Sequence, residues 1–242
     1  MNTDKKQALS VHLKAIRRML IISVAAVAVL FVLFFYLLCG PLVDFVLAPV
    51  RARGIEVITT SVSEALMMQF KVCLIAAVIA GMPVIIWQVW EFVAPALYPQ
   101  EKRLFAALFF VALLLFVGGV AFCYCLVFPM AIDLFWSAAD GVASTLWSVK
   151  EYFNFVLSFV LPFGLMFELP VVVYMLARRG LVTYQKLAHS RKYVILVIAI
   201  IAAILTPPDA VSQCMLAIPM ILLYEVAAQL ARLVKPKKPA EA

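Results

Sequence analysis

From position 19 to position 39 the chain runs for 21 residues without a charge, and about 20 consecutive apolar residues are what a helix needs to cross a bilayer core. Five comparable runs follow, at 72–90, 104–132, 152–177, 193–208 and 210–231, interrupted only by Glu168 in the fourth run and Glu225 in the last. Peptide groups in hydrocarbon must bond within their own segment, so each run predicts a helix. A composition of 67% hydrophobic and 14% charged residues excludes a soluble globular domain, which is nearer half apolar and a quarter charged. The predicted fold class is an all-α membrane protein with six transmembrane helices. They form one membrane domain over 1–234, followed by a disordered cytoplasmic tail at 235–242. Arg17 and Arg18 precede the first run, but no small-residue cleavage site follows it, so it reads as a retained helix and not a signal peptide.

The basic residues set the orientation. With both termini cytoplasmic, the inner side carries Lys5, Lys6, Lys14, Arg17 and Arg18, then Lys102 and Arg103, then Arg178, Arg179, Lys186, Arg191 and Lys192, and finally Arg232, Lys235, Lys237 and Lys238. That is 16 of the 20 Lys and Arg. The net charge of +7 is thereby assigned to orientation against an anionic inner leaflet of membrane lipid. No basic stripe interleaved with aromatic platforms lies outside the runs, so no nucleic-acid partner is expected.

Outside, the loop at 40–63 contains Pro41, Pro49 and Gly54, and its Leu42, Phe45, Val46 and Leu47 predict a helix lying on the interface. Ser61 with Glu64, and Ser148 with Glu151, have the spacing of capping boxes that would start the second and fourth spans. The last two uncharged stretches, before Pro207 and from Ala210 to Tyr224, hold 15 to 16 residues, about 24 Å of helix against a core of about 30 Å. Two short helices are expected. They imply a thinned bilayer or a re-entrant hairpin, with Thr206, Asp209 and Gln213 unusually near hydrocarbon. Pro83, Pro129, Pro162 and Pro170, with Gly81, Gly118, Gly119 and Gly164, predict bent and closely packed helices.

Chemistry-bearing residues are few. The five cysteines, Cys39, Cys73, Cys123, Cys125 and Cys214, read as small buried hydrophobes. The C-x-C at Cys123 and Cys125 has no His or second pair beside it, so no metal or other cofactor is expected. No G-x-S-x-G, H-E-x-x-H or Walker A pattern is present, and the chain is read as a non-enzyme. Ionisable side chains inside a span are costly, which makes Glu168 the strongest pointer to function within the spans. In its neutral form it both donates and accepts a hydrogen bond, and it wants a polar partner. Lys71 is expected to snorkel to the outer surface, and Glu225 to snorkel inward or pair with Arg232. Between the second and third runs, Trp87–Arg103 never becomes an ordinary hydrophilic loop. Trp87, Trp90, Phe92 and Tyr98 suit the headgroup layer, and Pro95 and Pro99 stiffen the turn. Glu101 then falls at the start of the next helix, beside Lys102 and Arg103.

These residues resemble a known family, TatC, the receptor subunit of the twin-arginine protein translocase. The resemblance rests on His12-Leu13 with Arg17, Ala48-Pro49, QVWEFVAPALYPQE at 88–101, FELP around Glu168, and LTPPDAVSQ followed by AIPM. It implies a cupped arrangement of six helices, the last two short, in the cytoplasmic (inner) membrane. It also implies a receptor for twin-arginine signal peptides that exports folded proteins with single-span TatA and TatB, self-associating in a larger complex and driven by the proton gradient. By position, Glu101 would meet the paired arginines with Phe92 and Arg17 beside it. Glu168, Thr206, Asp209 and Gln213 would be intramembrane polar groups for partner contact. One departure is clear: where the family has a glutamate two residues before Arg17, this chain has Ala15, and Glu91 is the candidate second carboxylate. The rival reading, a proton-coupled small-solute transporter with Glu168 as relay, lacks the internal repeats such proteins show. The basic asymmetry yields a first test: with single cysteines in a cysteine-free background, a membrane-impermeant maleimide added to intact cells modifies Gly54→Cys and leaves Gln185→Cys untouched.

Overall fold

A computed structural model describes residues 2–93, 102–139, 146–206 and 209–234, with the side chains of 2–13, 92–93, 102–103 and 105 left aside. The expected disordered tail at 235–242 lies outside the described residues, as do Tyr98, Pro95 and Pro99. The described chain is helical almost throughout, and six of its helical segments are long and apolar enough to cross a membrane: Lys14–Leu37, Glu64–Glu91, Ala106–Ala138, Val149–Arg178, Tyr184–Leu205 and Ala210–Leu233. Side chains left exposed along them, such as Val24, Val29, Phe110, Leu114 and Ile204, are apolar, as contact with hydrocarbon requires. The chain divides into two compact units, one of Met1–Ala48 with Ser61–Leu113, the other of Pro49–Thr60 with Leu114–Ala242.

In the first unit, α1 (Asn2–Leu37) pairs with α3 (Glu64–Val93). Gly81 sets their approach, since a Cβ there would meet Val27 at 3.3 Å and Leu30 at 3.5 Å. Nearer the other end, Phe35 stacks on Phe70 with ring centres 4.8 Å apart and planes 11° from parallel. Trp87 meets Phe109 edge-on at 5.5 Å, whereas Trp90 is buried within the protein.

The predicted interfacial helix is present as α2 (Cys39–Arg51), and Pro49 lies too near its end to interrupt it. Gly54 stops it. With φ of +69° it adopts the left-handed conformation, and Gly54 N–H donates to Arg51 O at 3.0 Å while Ile55 N–H donates to Val50 O at 3.3 Å, a Schellman closure. Gly180, at φ +71°, ends a later helix in the same way, with Gly180 N–H on Ala177 O and Leu181 N–H on Leu176 O.

The second unit contains the end of α4 (Lys102–Phe122), a π-helical turn (Cys123–Val127) and α5 (Phe128–Ala139). The widened turn stands immediately before Pro129, whose ring would clash with the carbonyl four residues back in an unbroken α-helix. Next come α6 (Val149–Phe167), α7 (Leu169–Arg178), α8 (Tyr184–Leu205) and α9 (Ala210–Leu233). A two-residue parallel pair joins β1 (Val57–Ile58) to β2 (Trp147–Ser148). Two of the predicted small residues let α4 approach α6. A Cβ at Gly164 would lie 2.6 Å from Phe116 Cε2, and one at Gly119 would lie 2.9 Å from Phe163 O. Around them Phe122, Phe163 and Phe167 meet at 5.7–5.8 Å between ring centres. Elsewhere Val173 and Ala177 of α7 pack on Ala227 and Ala231 of α9, small side chains that let backbones come close where the surrounding lipid supplies no hydrophobic drive.

Two sequence expectations need correction. α8 and α9 are not short: they run 22 and 24 residues, about 33 and 36 Å at the helical rise. Only the uncharged stretches are short, because helix continues through the polar residues at the inner ends. The two capping boxes also fail. α3 starts at Glu64, which puts Ser63 and not Ser61 at the cap position. Ser148 does precede α6 but makes no side-chain cap bond; its backbone is committed to pairing opposite Ile58.

The glycine contacts yield a second test. Gly119→Ala and Gly164→Ala each destabilise the purified protein by about 1–3 kcal/mol through overpacking, read as a lowered thermal midpoint. Gly118→Ala, whose Cβ would meet nothing within 4 Å, leaves the midpoint unchanged or raises it.

Candidate functional site

Glu168 stands where one span changes from α6 to α7, and the sequence dictates that break. Pro170 has no N–H for the carbonyl four residues earlier. The ladder tightens instead: Glu168 N–H donates to Leu165 O at 3.1 Å, and Glu168 O accepts from Val171 N–H and Val172 N–H, each at 3.1 Å. The side chain at this break is only half-buried, yet its Oε1 is buried without a hydrogen-bond partner among the described residues. A buried polar oxygen left unpaired costs about 1–3 kcal/mol, and none of the described residues supplies Glu168 Oε1 with a donor.

The other three intramembrane polar residues come together at the tip of the α8–α9 hairpin, and all three have partners. Thr206 is buried, and its Oγ1 donates to Ala202 O at 2.9 Å. Asp209 is the N-cap of α9, where Oδ1 accepts from Ser212 N–H at 2.7 Å. Gln213 Nε2 reaches across to Ala199 O of α8 at 3.0 Å. Asp209 also lines a cavity of about 320 Å³ walled by Ile132, Phe135, Trp147, Tyr152 and Phe155, with Glu151 the other carboxylate in its lining.

At the opposite end of the hairpin lies a network that sequence reasoning misassigned. Glu225 pairs with Arg191, not with Arg232: Arg191 Nη2 lies 2.5 Å from Glu225 Oε1, which also accepts from Gln229 Nε2 at 3.0 Å. Arg191 and Arg232 both lie over the Tyr184 ring, at 6.0 and 5.8 Å from its centre, and Tyr224 Oη donates to Leu187 O at 2.8 Å. The α8–α9 antiparallel pairing explains the choice, because Arg191 is near the start of one helix where Glu225 is near the end of the other. A second ion pair went unnoticed in the sequence. Arg53 clamps Asp133 through Nε at 2.5 Å and Nη2 at 3.1 Å, and its Nη1 donates to Pro49 O at 2.9 Å. The Asp133 hydrogen bond raises the Arg53 pKa further above the ordinary guanidinium value. Its signal was the placement of Arg53 among the few basic residues left outside.

Of the four residues assigned to the docking region, Glu101 lies outside the described residues, and Phe92 is described only as part of the α3 backbone. Arg17 and Glu91 are both exposed. The contact of Gly81 with Val27 fixes the antiparallel register of α1 and α3. Ten residues back along α1 and ten forward along α3, Arg17 and Glu91 therefore stand at the same height, since both helices rise equally per residue.

Six membrane-crossing helices with a polar site inside the spans define a multi-pass membrane protein of the transport or translocation class. Residues 11–219 match the family described as Sec-independent protein translocase protein (TatC). The Sec-independent protein translocase protein TatC of Carboxydothermus hydrogenoformans is 39% identical over 236 residues, covering 97% of each chain. That of Haemophilus influenzae is 36% identical over 98% of this chain and 93% of its own. A crystal structure titled as the twin arginine translocase receptor TatC superposes with a TM-score of 0.86 at 37% identity, over 92% of this chain and 98% of that one. The chain belongs to the TatC family. The small-solute transporter reading is not favoured.

The hairpin tip yields a third test. Asp209→Ala removes the cap of α9 and lowers stability by about 1 kcal/mol, whereas Asp209→Asn, which still accepts from Ser212 N–H, retains it. Thermal unfolding of the purified variants reads the difference.

Proposed function

We propose that this protein is the receptor and scaffold of a twin-arginine translocase in the inner membrane. It binds signal peptides bearing paired arginines at the cytoplasmic face and, with single-span TatA and TatB, exports folded proteins using the proton gradient. The observation that carries the reading is the likeness, over nine-tenths of the chain, to a structure titled as the twin arginine translocase receptor. The sequence adds 88–101 and the polar hairpin tip.

Two guanidiniums call for carboxylates held in place, because the planar fork of arginine bonds a carboxylate with two parallel N–H groups and lysine does not. Glu101, next in sequence to the first residue of α4, is assigned the first arginine. Glu91, at the height of Arg17 on the neighbouring helix, is assigned the second, in place of the acid that Ala15 lacks. Phe92 and Arg17 complete the site. Removing Glu91 then weakens signal-peptide binding by about 1.5–3 kcal/mol, the worth of a hydrogen bond to a charged group.

Glu168 is assigned the contact with a partner helix. Its unpartnered oxygen supports this, since a polar side chain of a TatA or TatB span brought against the α6–α7 break would satisfy it. Thr206, Asp209 and Gln213 are assigned a polar contact of the same kind, which their internal bonds leave room for because carboxylate and carbonyl oxygens each accept more than one donor.

Inverted membrane vesicles test the scheme. A photo-crosslinker at position 101 captures a twin-arginine precursor and not its twin-lysine counterpart; equal capture of both overturns the receptor assignment. In the same vesicles Glu168→Gln, which keeps a donor and an acceptor, retains substantial transport. Glu168→Ala inserts normally but loses transport and the crosslink to the partner helix, and transport at the wild-type rate by that variant refutes the assignment.

A further inference from the structure

Elements remote in sequence meet around the cavity at the end of the spans where α6 and α9 begin. The end of α5 supplies Phe135, β2 and the first half of α6 supply Trp147, Glu151, Tyr152 and Phe155, and α9 contributes its cap, Asp209. The wall is preformed. Phe135 and Phe155 meet edge-on with ring centres 5.7 Å apart, Trp147 and Tyr152 lie at 6.3 Å, and Trp147 N–H donates to Glu56 O at 3.2 Å. Tyr152 and Phe155 are buried, whereas Glu151 is exposed and Asp209 partly exposed. The rings therefore form the floor, and the carboxylates stand nearer the mouth.

That lining selects its occupant by charge. A cation is attracted both to carboxylates and to the faces of aromatic rings, and an anion is repelled by the same carboxylates. Among the described residues neither Glu151 nor Asp209 is paired with a lysine or arginine, and the described lining holds no basic side chain. Asp209 spends Oδ1 on Ser212 N–H and keeps its other oxygen. The volume of about 320 Å³ is at the lower end of small-ligand sites, about 300–1,000 Å³, so it admits part of a lipid and no helix. Leu134 and Leu146, next in sequence to Phe135 and Trp147, are exposed. The apolar surface of the wall thus continues onto the face that meets the bilayer, and the approach is from lipid.

We propose that this cavity seats a phospholipid with an ammonium headgroup. The ammonium lies against Glu151 and Asp209, the phosphate stays in water beside them, and the start of one acyl chain rests on the rings of Phe135, Tyr152 and Phe155. The inference needs only the membrane-spanning fold and not the receptor reading. A carboxylate accepts several donors, so the partner contact assigned to Asp209 is not displaced, and Glu151 stands outside that assignment.

Trp147 is a reporter built into the wall. With Trp87→Phe, Trp90→Phe and Trp136→Phe it is the last of the four tryptophans. The full-length protein is reconstituted in vesicles of equal parts phosphatidylethanolamine and phosphatidylglycerol with identical chains, and a quenching bromine is carried on the chains of one lipid and then of the other. The two lipids share the phosphate and differ in the ammonium; both are present on both sides, so the reading does not depend on which way the chain inserts. Brominated phosphatidylethanolamine is expected to quench Trp147 as though enriched roughly fivefold over brominated phosphatidylglycerol, the scale of a partly exposed ion pair. Glu151→Gln with Asp209→Asn, which keeps the cap of α9, brings the ratio to about one. Equal quenching in the parent protein overturns the proposal, as does an enrichment that survives the double substitution. If ethanolamine added to the water abolishes the enrichment, the site takes a soluble amine and the lipid assignment is overturned. If the tryptophan replacements unfold the chain, native mass spectrometry of the unmodified protein with the same two lipids makes the comparison: preferential retention of phosphatidylethanolamine that Glu151→Gln loses supports the site, and equal retention of both lipids overturns it.

Discussion

A peptide group without a partner in hydrocarbon costs several kcal/mol, and among the described residues that constraint shapes four of the breaks in the helices. These fall at or beside a proline or a glycine and come with a specific rearrangement of hydrogen bonds. The π-helical turn at Cys123–Val127 absorbs Pro129. At Glu168 the ladder tightens to reach around Pro170. Gly54 and Gly180 turn left-handed so that the last carbonyls of α2 and α7 are met. Thr183 and Asp209 cap the starts of α8 and α9 with side-chain oxygens. Among the described residues three buried side-chain atoms have no partner, Glu168 Oε1, Arg191 Nε and Ser212 Oγ. Arg191 and Ser212 are otherwise held, through Arg191 Nη2 on Glu225 and Ser212 N–H on Asp209, which leaves Glu168 as the carboxyl of the three.

Most of the architecture was legible from charge and apolar run length alone. The runs beginning at 19, 72, 104, 152, 193 and 210 correspond to the six membrane-crossing segments, because the cost of placing a charge in lipid leaves little freedom in where a span lies. Gly81, Gly119 and Gly164 were correctly read as close-approach positions, and Gly118 was not, since nothing lies near it. That distinction depends on which face of α4 meets α6, and an isolated glycine carries no such information. Helix length was misjudged for α8 and α9 because a helix does not end where its apolar residues end: Lys186, Arg191 and Lys192 continue α8 beyond the uncharged stretch.

The candidate site divides in the same manner. Glu168 was identifiable from the cost of burying a carboxyl, and Thr206, Asp209 and Gln213 from polarity next to two prolines. What the sequence did not reveal is that the latter three spend hydrogen bonds on the hairpin itself, because a bond from Gln213 to Ala199 joins positions that only the tertiary fold brings together. The partner of Glu225 was misjudged for a related reason. Arg232 is the near neighbour in sequence at seven residues, but Arg191 is the near neighbour across the antiparallel pair.

The π-helical turn has a consequence for how the third span could change over evolutionary time. Its buried side chains step from Ala112 to Phe116 and Cys123, then to Val127 and Phe128 together, and on to Ala131 and Ile132. Val127 lies four residues after Cys123 and Phe128 five, so the inward stripe shifts by one residue across the turn. The widened turn takes up that extra residue and keeps both halves of the stripe directed inward. In effect the span holds an insertion in reserve. Deleting one residue within 123–127 would restore ordinary α-helix and leave Phe128, Ile132 and the Arg53 clamp on Asp133 on the faces they already occupy, whereas the same deletion in the ordinary helix on either side would rotate everything after it by about 100°. A lineage could therefore lose one residue here without rewriting the inward stripe of α5, which makes this short turn the place in the span most tolerant of a one-residue change in length.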